Sequence, residues 1–320
     1  MYSSSGIEAS DFVSTYNLSF WFITGISLLL LIGLTITMLW FVYRYNKKRN
    51  KVASQIEGST KLEVVWTVIP ILLALAMFNF GWAGWKPLSK PPEDAMTVTS
   101  IARMWNFSFT YANGKQSPEL KVPINTPVKI NLISLDVIHS LFIPAFRIKS
   151  DMIPGRQKEM WFLPKAEGKY DIFCAEYCGL QHSFMRSSVT VMTQDKFDEW
   201  YIDTTRVSVV TTETGPGAEG EAIMRVQGCF ACHSTDGTRI IGPSYLNLYG
   251  EQQTVVRDGK EVIINVNEEY VKKAIFDPNS ETVKGFQKNL MQSYEGILTN
   301  EDVTKIIEYL KSLNESAPSQ

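Results

Sequence analysis

Histidine and cysteine are scarce in this chain. Three histidines (His139, His182, His233) and four cysteines (Cys174, Cys178, Cys229, Cys232) are spread over 320 residues. All seven fall in, or can be assigned to, two clusters, so nothing is left over for a further metal or nucleophile site. Basic runs with interleaved aromatics are absent, and the formal charge is −2, which gives no footprint for nucleic acid. Residues 1–19 contain no Lys or Arg, so the start lacks the charged head of a secretory signal. Charge is missing altogether from residues 12–43 and again from 64–85. Each run reaches the roughly 20 residues needed to span a bilayer, and Pro70 inside the second is tolerated there.

What is present gives these spans an orientation. The segment 44–61 carries Arg44, Lys47, Lys48, Arg49, Lys51 and Lys61 against a single acid, Glu57. The positive-inside bias places that loop in the cytoplasm and everything after Trp85 outside. Trp21, Phe22, Trp82 and Trp85 form an aromatic belt at the outer rim. Pro87, Pro91 and Pro92 then make a stiff exit.

Residues from about 95 to 193 read as β structure. Thr97-Val98-Thr99-Ser100-Ile101, residues 105–111, Val128-Lys129-Ile130-Asn131-Leu132 and Ser188-Val189-Thr190-Val191 are strand-like, with Asn113-Gly114 and Glu167-Gly168-Lys169 as turns. Short strands between turns predict a sandwich or small barrel. At the end of one such strand, Cys174, Cys178, His182 and Met185 crowd into a dozen residues. Thiolates with imidazole suit copper, zinc or iron, and the thioether tilts the choice to copper. Two cysteines spaced Cys-x3-Cys can bridge two copper ions. His139, just after an alternating strand, is the one histidine left to join them.

These residues resemble subunit II of the haem–copper cytochrome c oxidases. The resemblance rests on Leu62-Glu63-Val64-Val65-Trp66-Thr67, Asp136-Val137-Ile138-His139-Ser140, Asp151-Met152-Ile153-Pro154-Gly155-Arg156 and residues 174–185, in the family's order, over roughly residues 15–205. It implies a two-helix transmembrane hairpin followed by an all-β, cupredoxin-like Greek-key domain. It also implies a dinuclear copper centre, CuA, held by His139, Cys174, Cys178, His182, Met185 and the backbone carbonyl of Glu176. In the family the Glu176 carboxylate reaches a magnesium ion shared with subunit I. Trp105 falls where the family has an exposed tryptophan that admits the donor's electron; the flanking Arg103-Met104 departs from the usual pattern, and Phe107 stands where a second tryptophan is common. Glu63 matches a carboxylate at the mouth of a proton channel.

Past a small, polar, Gly/Pro-bearing stretch the pattern turns helical. Thr299-Asn300-Glu301-Asp302 is a capping start, followed by Val303, Ile306, Ile307 and Leu310 at helical spacing. Cys229-Phe230-Ala231-Cys232-His233 is the c-type haem attachment pattern, and the βαβ surroundings of a redox Cys-x-x-Cys are missing. Met291 is the one methionine after that motif and the natural sixth ligand to the iron. Residues 218–314 resemble an all-α class I cytochrome c domain. In it Gly242-Pro243 packs over the haem-ligating His233, and the Pro243 carbonyl orients its ring. Residues 206–320 carry sixteen acids and eleven bases, which suits a basic or neutral external donor.

The expected domains are 1–92 (N-terminal segment, hairpin and exit), 93–205 (CuA domain), 206–217 (linker) and 218–320 (cytochrome c domain). The function that the resemblance implies is electron input to a terminal oxidase of a bacterial inner membrane. Electrons pass from a soluble cytochrome c or another small redox protein through haem c and CuA to subunit I, where oxygen is reduced with proton pumping. Other oxidase subunits and membrane lipid are the remaining partners. Two rivals use similar ligands: a CuA-bearing nitric oxide reductase subunit, and a membrane-anchored copper metallochaperone. The second would have a single anchor and a thioredoxin-like pattern.

Overall fold

The computed structural model describes residues 8–52, 55, 58–202 and 217–315. Most of the 206–217 linker and Glu57 of the basic loop lie outside these. The chain opens with α1 (Phe12–Arg44) and α2 (Thr60–Trp85), of 33 and 26 residues. At 1.5 Å per residue both exceed the ~30 Å of hydrocarbon. Their leucines, isoleucines and tryptophans point outward, as a lipid-facing pair requires. The two helices touch near one end, where Ser19 Oγ donates to the Phe80 carbonyl (3.3 Å) and the Phe22 and Phe80 rings lie 4.2 Å apart. The start of α1 is anchored to the next domain, since buried Phe12 meets Trp161 edge to face at 4.9 Å.

That domain is a β-sandwich of ten strands: β1 (Met96–Arg103), β2 (Asn106–Tyr111), β3 (Gln116–Ser117), β4 (Leu120–Pro123), β5 (Val128–Ser134), β6 (His139–Ile143), β7 (Ile148–Met152), β8 (Lys158–Phe162), β9 (Gly168–Cys174) and β10 (Arg186–Met192). One sheet runs β3-β2-β1-β5-β8 and the other β4-β10-β9-β6-β7. The pairs β1–β5 and β4–β10 are parallel and the rest antiparallel. Alternation dictates which face turns in. In β5 every second residue from Val128 is buried, and Phe107, Phe109, Ile130, Leu132, Leu141 and Ile172 are fully enclosed between the sheets. The four strands read from sequence are β1, β2, β5 and β10. A short helix, α3 (Gln194–Ile202), closes the bottom by seating Phe197 and Trp200 against Tyr111.

The C-terminal domain packs α4 (Ala218–Gln227), α5 (Glu268–Phe276) and α6 (Asn300–Glu315) around one core. Thr299 and Asp302 cap α6 reciprocally. The Thr299 N–H and hydroxyl donate to Asp302 Oδ2 (2.8 and 2.7 Å), and the Asp302 N–H donates back to Thr299 Oγ1 (3.2 Å). Its Val303, Ile306, Ile307 and Leu310 are all buried, as their spacing predicts. The helical domain also carries three strands that the sequence analysis did not anticipate. They are β11 (Gln252–Arg257) and β12 (Lys260–Asn265), an antiparallel hairpin, with β13 (Thr282–Val283) alongside. The turn is Asp258-Gly259, both with positive φ (51° and 76°), which is the standard signal for a two-residue hairpin loop.

Candidate metal centre and haem cavity

The first site sits where two strands of one sheet end side by side. His139 opens β6, Cys174 ends β9, and the loop between β9 and β10 returns over them. Backbone bonds pin that loop: the Ala175 N–H donates to the Ser140 carbonyl (3.1 Å) and the Cys174 N–H to the Met185 carbonyl (3.2 Å). As a result Cys174 Sγ lies 3.7 Å from Cys178 Sγ and 3.9 Å from His139 Nδ1. Cys178 Sγ in turn lies 3.5 Å from His182 Nδ1 and 3.7 Å from Met185 Sδ. The Glu176 carbonyl is 3.2 Å from Cys174 Sγ, while the residue itself is exposed. Two thiols, two imidazoles, a thioether and a carbonyl thus converge, and His139, Cys178 and Met185 are almost wholly buried.

The thiols are not disulfide-bonded, which leaves both available as metal ligands. One proton is shared between them. The hydrogen bond from Cys178 brings the Cys174 thiol down to about 3, with His139 and backbone bonding at Glu176 helping, although burial opposes it. Cys178 is pushed up, by that same bond first and by burial second. Both become thiolates together only if cations take the proton's place, which is the behaviour of a metal site. The soft donor set fits copper.

Asp136 supports the site from outside, a role the sequence analysis did not assign. Its Oδ1 is 2.8 Å from His139 Nε2, and it also accepts from the N–H groups of Met104 (2.6 Å) and Val137 (2.6 Å). Burial alone would raise its carboxyl, but these bonds outweigh that and hold it low. The bond fixes the ring so that Nδ1 faces the sulfurs. An Asp three residues before a ligand histidine was the available signal. Trp105 donates its indole N–H to the Cys178 carbonyl (2.9 Å) and is 4% exposed. The surface exposure that the family resemblance implies for it is therefore not found in this chain. Its neighbours are occupied by the C-terminal domain: Asn106 Nδ2 donates to the Val226 carbonyl (2.8 Å), and Arg103 and Met104 line that domain's cavity. Glu63 is exposed in the first turn of α2, far in sequence from either site.

The cavity is the second site. It encloses about 1480 Å³ of space, counted to its open mouth with the solvent there included. Cys229, Cys232, His233, Pro243 and Met291 all line it. His233 Nδ1 lies 2.7 Å from the Pro243 carbonyl, which leaves Nε2 to serve as a ligand. Gly242 has no room for a side chain: a Cβ there would sit 2.4 Å from the imidazole. Burial lowers His233 despite the Pro243 bond, so the imidazole is neutral, as an iron ligand must be. Burial pushes Cys229 up to about 12 and Cys232 to about 11. Redox Cys-x-x-Cys pairs instead need a depressed thiol, so a thiol–disulfide role does not fit and haem attachment does.

Comparisons with known proteins bear on the domains that hold the two sites. Residues 116–192 match the family described as cytochrome c oxidase subunit II, periplasmic domain, residues 3–81 its transmembrane domain, and residues 217–314 cytochrome c. A cytochrome c oxidase subunit 2 of Bacillus sp. (strain PS3) is 33% identical, over 84% of this chain and 79% of that relative. A second, from Alkalihalophilus pseudofirmus, is 27% identical over 91% of this chain and 85% of its own length. Among solved structures, the periplasmic domain of subunit II of a Bradyrhizobium japonicum cytochrome oxidase is 30% identical. It covers 35% of this chain and 94% of that structure, with a TM-score of 0.33.

Proposed function

Since the chain belongs to the cytochrome c oxidase subunit II family, we propose that it carries electrons from an external donor, first to haem c and then to CuA, for delivery to subunit I. It is an oxidoreductase subunit with copper and haem as its redox groups and the other oxidase subunits as partners. When bound, these groups supply one-electron acceptor and donor centres. In this reading His139, Cys174, Cys178, His182, Met185 and the Glu176 carbonyl hold the two copper ions. Cys229 and Cys232 form the thioethers, and His233 and Met291 take the axial positions, with Gly242 and Pro243 behind His233. The Glu176 side chain, exposed beside the centre, is free to reach a magnesium ion at the border with subunit I. Trp105 sits between the two sites, and Glu63 opens a proton path used in pumping. The hairpin loop is cytoplasmic and both redox domains are outside. The domains run 1–92, 93–205, 206–217 and 218–320.

One observation carries the route: the β1–β2 turn belongs to both sites. Arg103 and Met104 line the cavity, while the next residue, Trp105, hydrogen-bonds to the backbone of Cys178. A small soluble donor, a cytochrome c or a similar protein, then delivers at the C-terminal domain rather than at buried Trp105. The test is a visible and near-infrared spectrum of the purified oxidase with its metal content. Haem c bands together with a near-infrared copper band are expected, and haem c bands without that band, after full metallation, overturn the CuA assignment.

A further inference from the structure

Arg103 is a buried cation without a counter-charge. It is 7% exposed and reaches from the end of β1 in the copper domain into the cavity of the neighbouring domain. Its guanidinium lies over the Tyr294 ring, 4.7 Å from the centroid. Tyr294 is itself buried, and its hydroxyl donates to the Gln227 carbonyl (3.0 Å). Among the described residues no carboxylate pairs with Arg103. Glu281 also lines the cavity but is already held by Arg257 and Lys273. The nearby Cys229 thiol is kept protonated by burial. Desolvating a guanidinium costs several kcal/mol unless a partner charge compensates it. Its planar fork matches a carboxylate, which it grips by two parallel hydrogen bonds.

The cavity's own occupant brings that partner, since a haem carries two propionate carboxylates. We propose that Arg103, supplied by the copper domain, binds a haem propionate in the adjoining domain. This rests on the haem c reading of Cys229, Cys232 and His233. The haem becomes part of the domain interface, which the Asn106–Val226 bond continues on one side. Gly228 fits the same picture. Its φ is +76°, and a Cβ there would lie 2.4 Å from Asn106 Cβ, so the backbones meet where no side chain intervenes. Arg103 is then a positioning residue that couples haem seating to docking and raises the haem potential by its charge.

The test is a spectroelectrochemical titration of haem c in the detergent-solubilised oxidase, comparing the parent with R103Q and R103K. In R103Q the equilibrium constant for haem reduction falls about tenfold, or about 59 mV for one electron. The potential also gains a pH dependence above about pH 4.3, falling as the released carboxyl ionises. R103K restores most of the shift, and the near-infrared copper band is unchanged in both variants. The proposal is overturned if R103Q keeps the parent's potential and pH profile, or if R103K recovers none of the loss while haem content stays full. Should neither variant retain haem, the parent decides: a haem potential that is flat from about pH 4.5 to 7 supports a paired propionate, and a sloping one overturns it. A parent enzyme without haem c bands sinks the haem reading itself, which is a different failure.

Discussion

Single residues decide how well each site is held, and the most consequential is one with no ligand role. Asp136 bonds to His139 and to the Met104 N–H at once, so it ties a proposed copper ligand to the turn between the domains. Replacing Asp136 by Asn removes the charge that orients the ring. We expect a 10–100-fold loss of copper affinity, the usual scale for such supporting groups, measured by competition with a chelator. Unchanged affinity would show that the ring is held by packing alone. The cluster of candidate ligands was legible because Cys and His are so rare in this chain that their grouping is itself informative. Asp136 was less so, because an aspartate before a strand caps turns as often as it braces a histidine. Arg103 was visible only as a departure from a pattern.

An ion-pair cluster ties the strands of the C-terminal domain to its helical core. Glu281 joins Arg257 of β11 (2.8 Å) and Lys273 of α5, with its own side chain 5% exposed. Burial would raise its carboxyl, but Lys273 first and then Arg257 hold it below the ordinary 4.5. A depressed carboxyl contributes stability that is complete above about pH 4.5 and lost as pH falls through the folded value. Glu281→Gln should therefore cost about 1–2 kcal/mol at pH 7, read from haem-monitored thermal unfolding, and less at about pH 3. An equal deficit at both pH values would mean that shape, not charge, matters there. Helix α6 was legible because its cap and apolar spacing are local. The hairpin β11–β12 was missed although Asp258-Gly259 announces it, because the resemblance to an all-α cytochrome c domain left no place for strands.

At the scale of the whole molecule, hydropathy and loop charge made the hairpin legible. The docking of two domains was not, since no local pattern encodes which surfaces meet. The proposed orientation has a direct check. Protease should cut within the basic segment 44–61 in inside-out vesicles only, and should reach the C-terminal domain in right-side-out vesicles only. The reverse pattern would invert the topology.

Burial of Trp105 beneath a domain on the same chain also changes the kinetics. A tethered redox partner acts at an effective concentration in the millimolar range, set by its tether rather than by the supply of free protein. On the proposed route the copper domain thus receives electrons in a first-order step. Dilution and ionic strength bear only on the earlier encounter, between the acidic C-terminal domain and whatever feeds it.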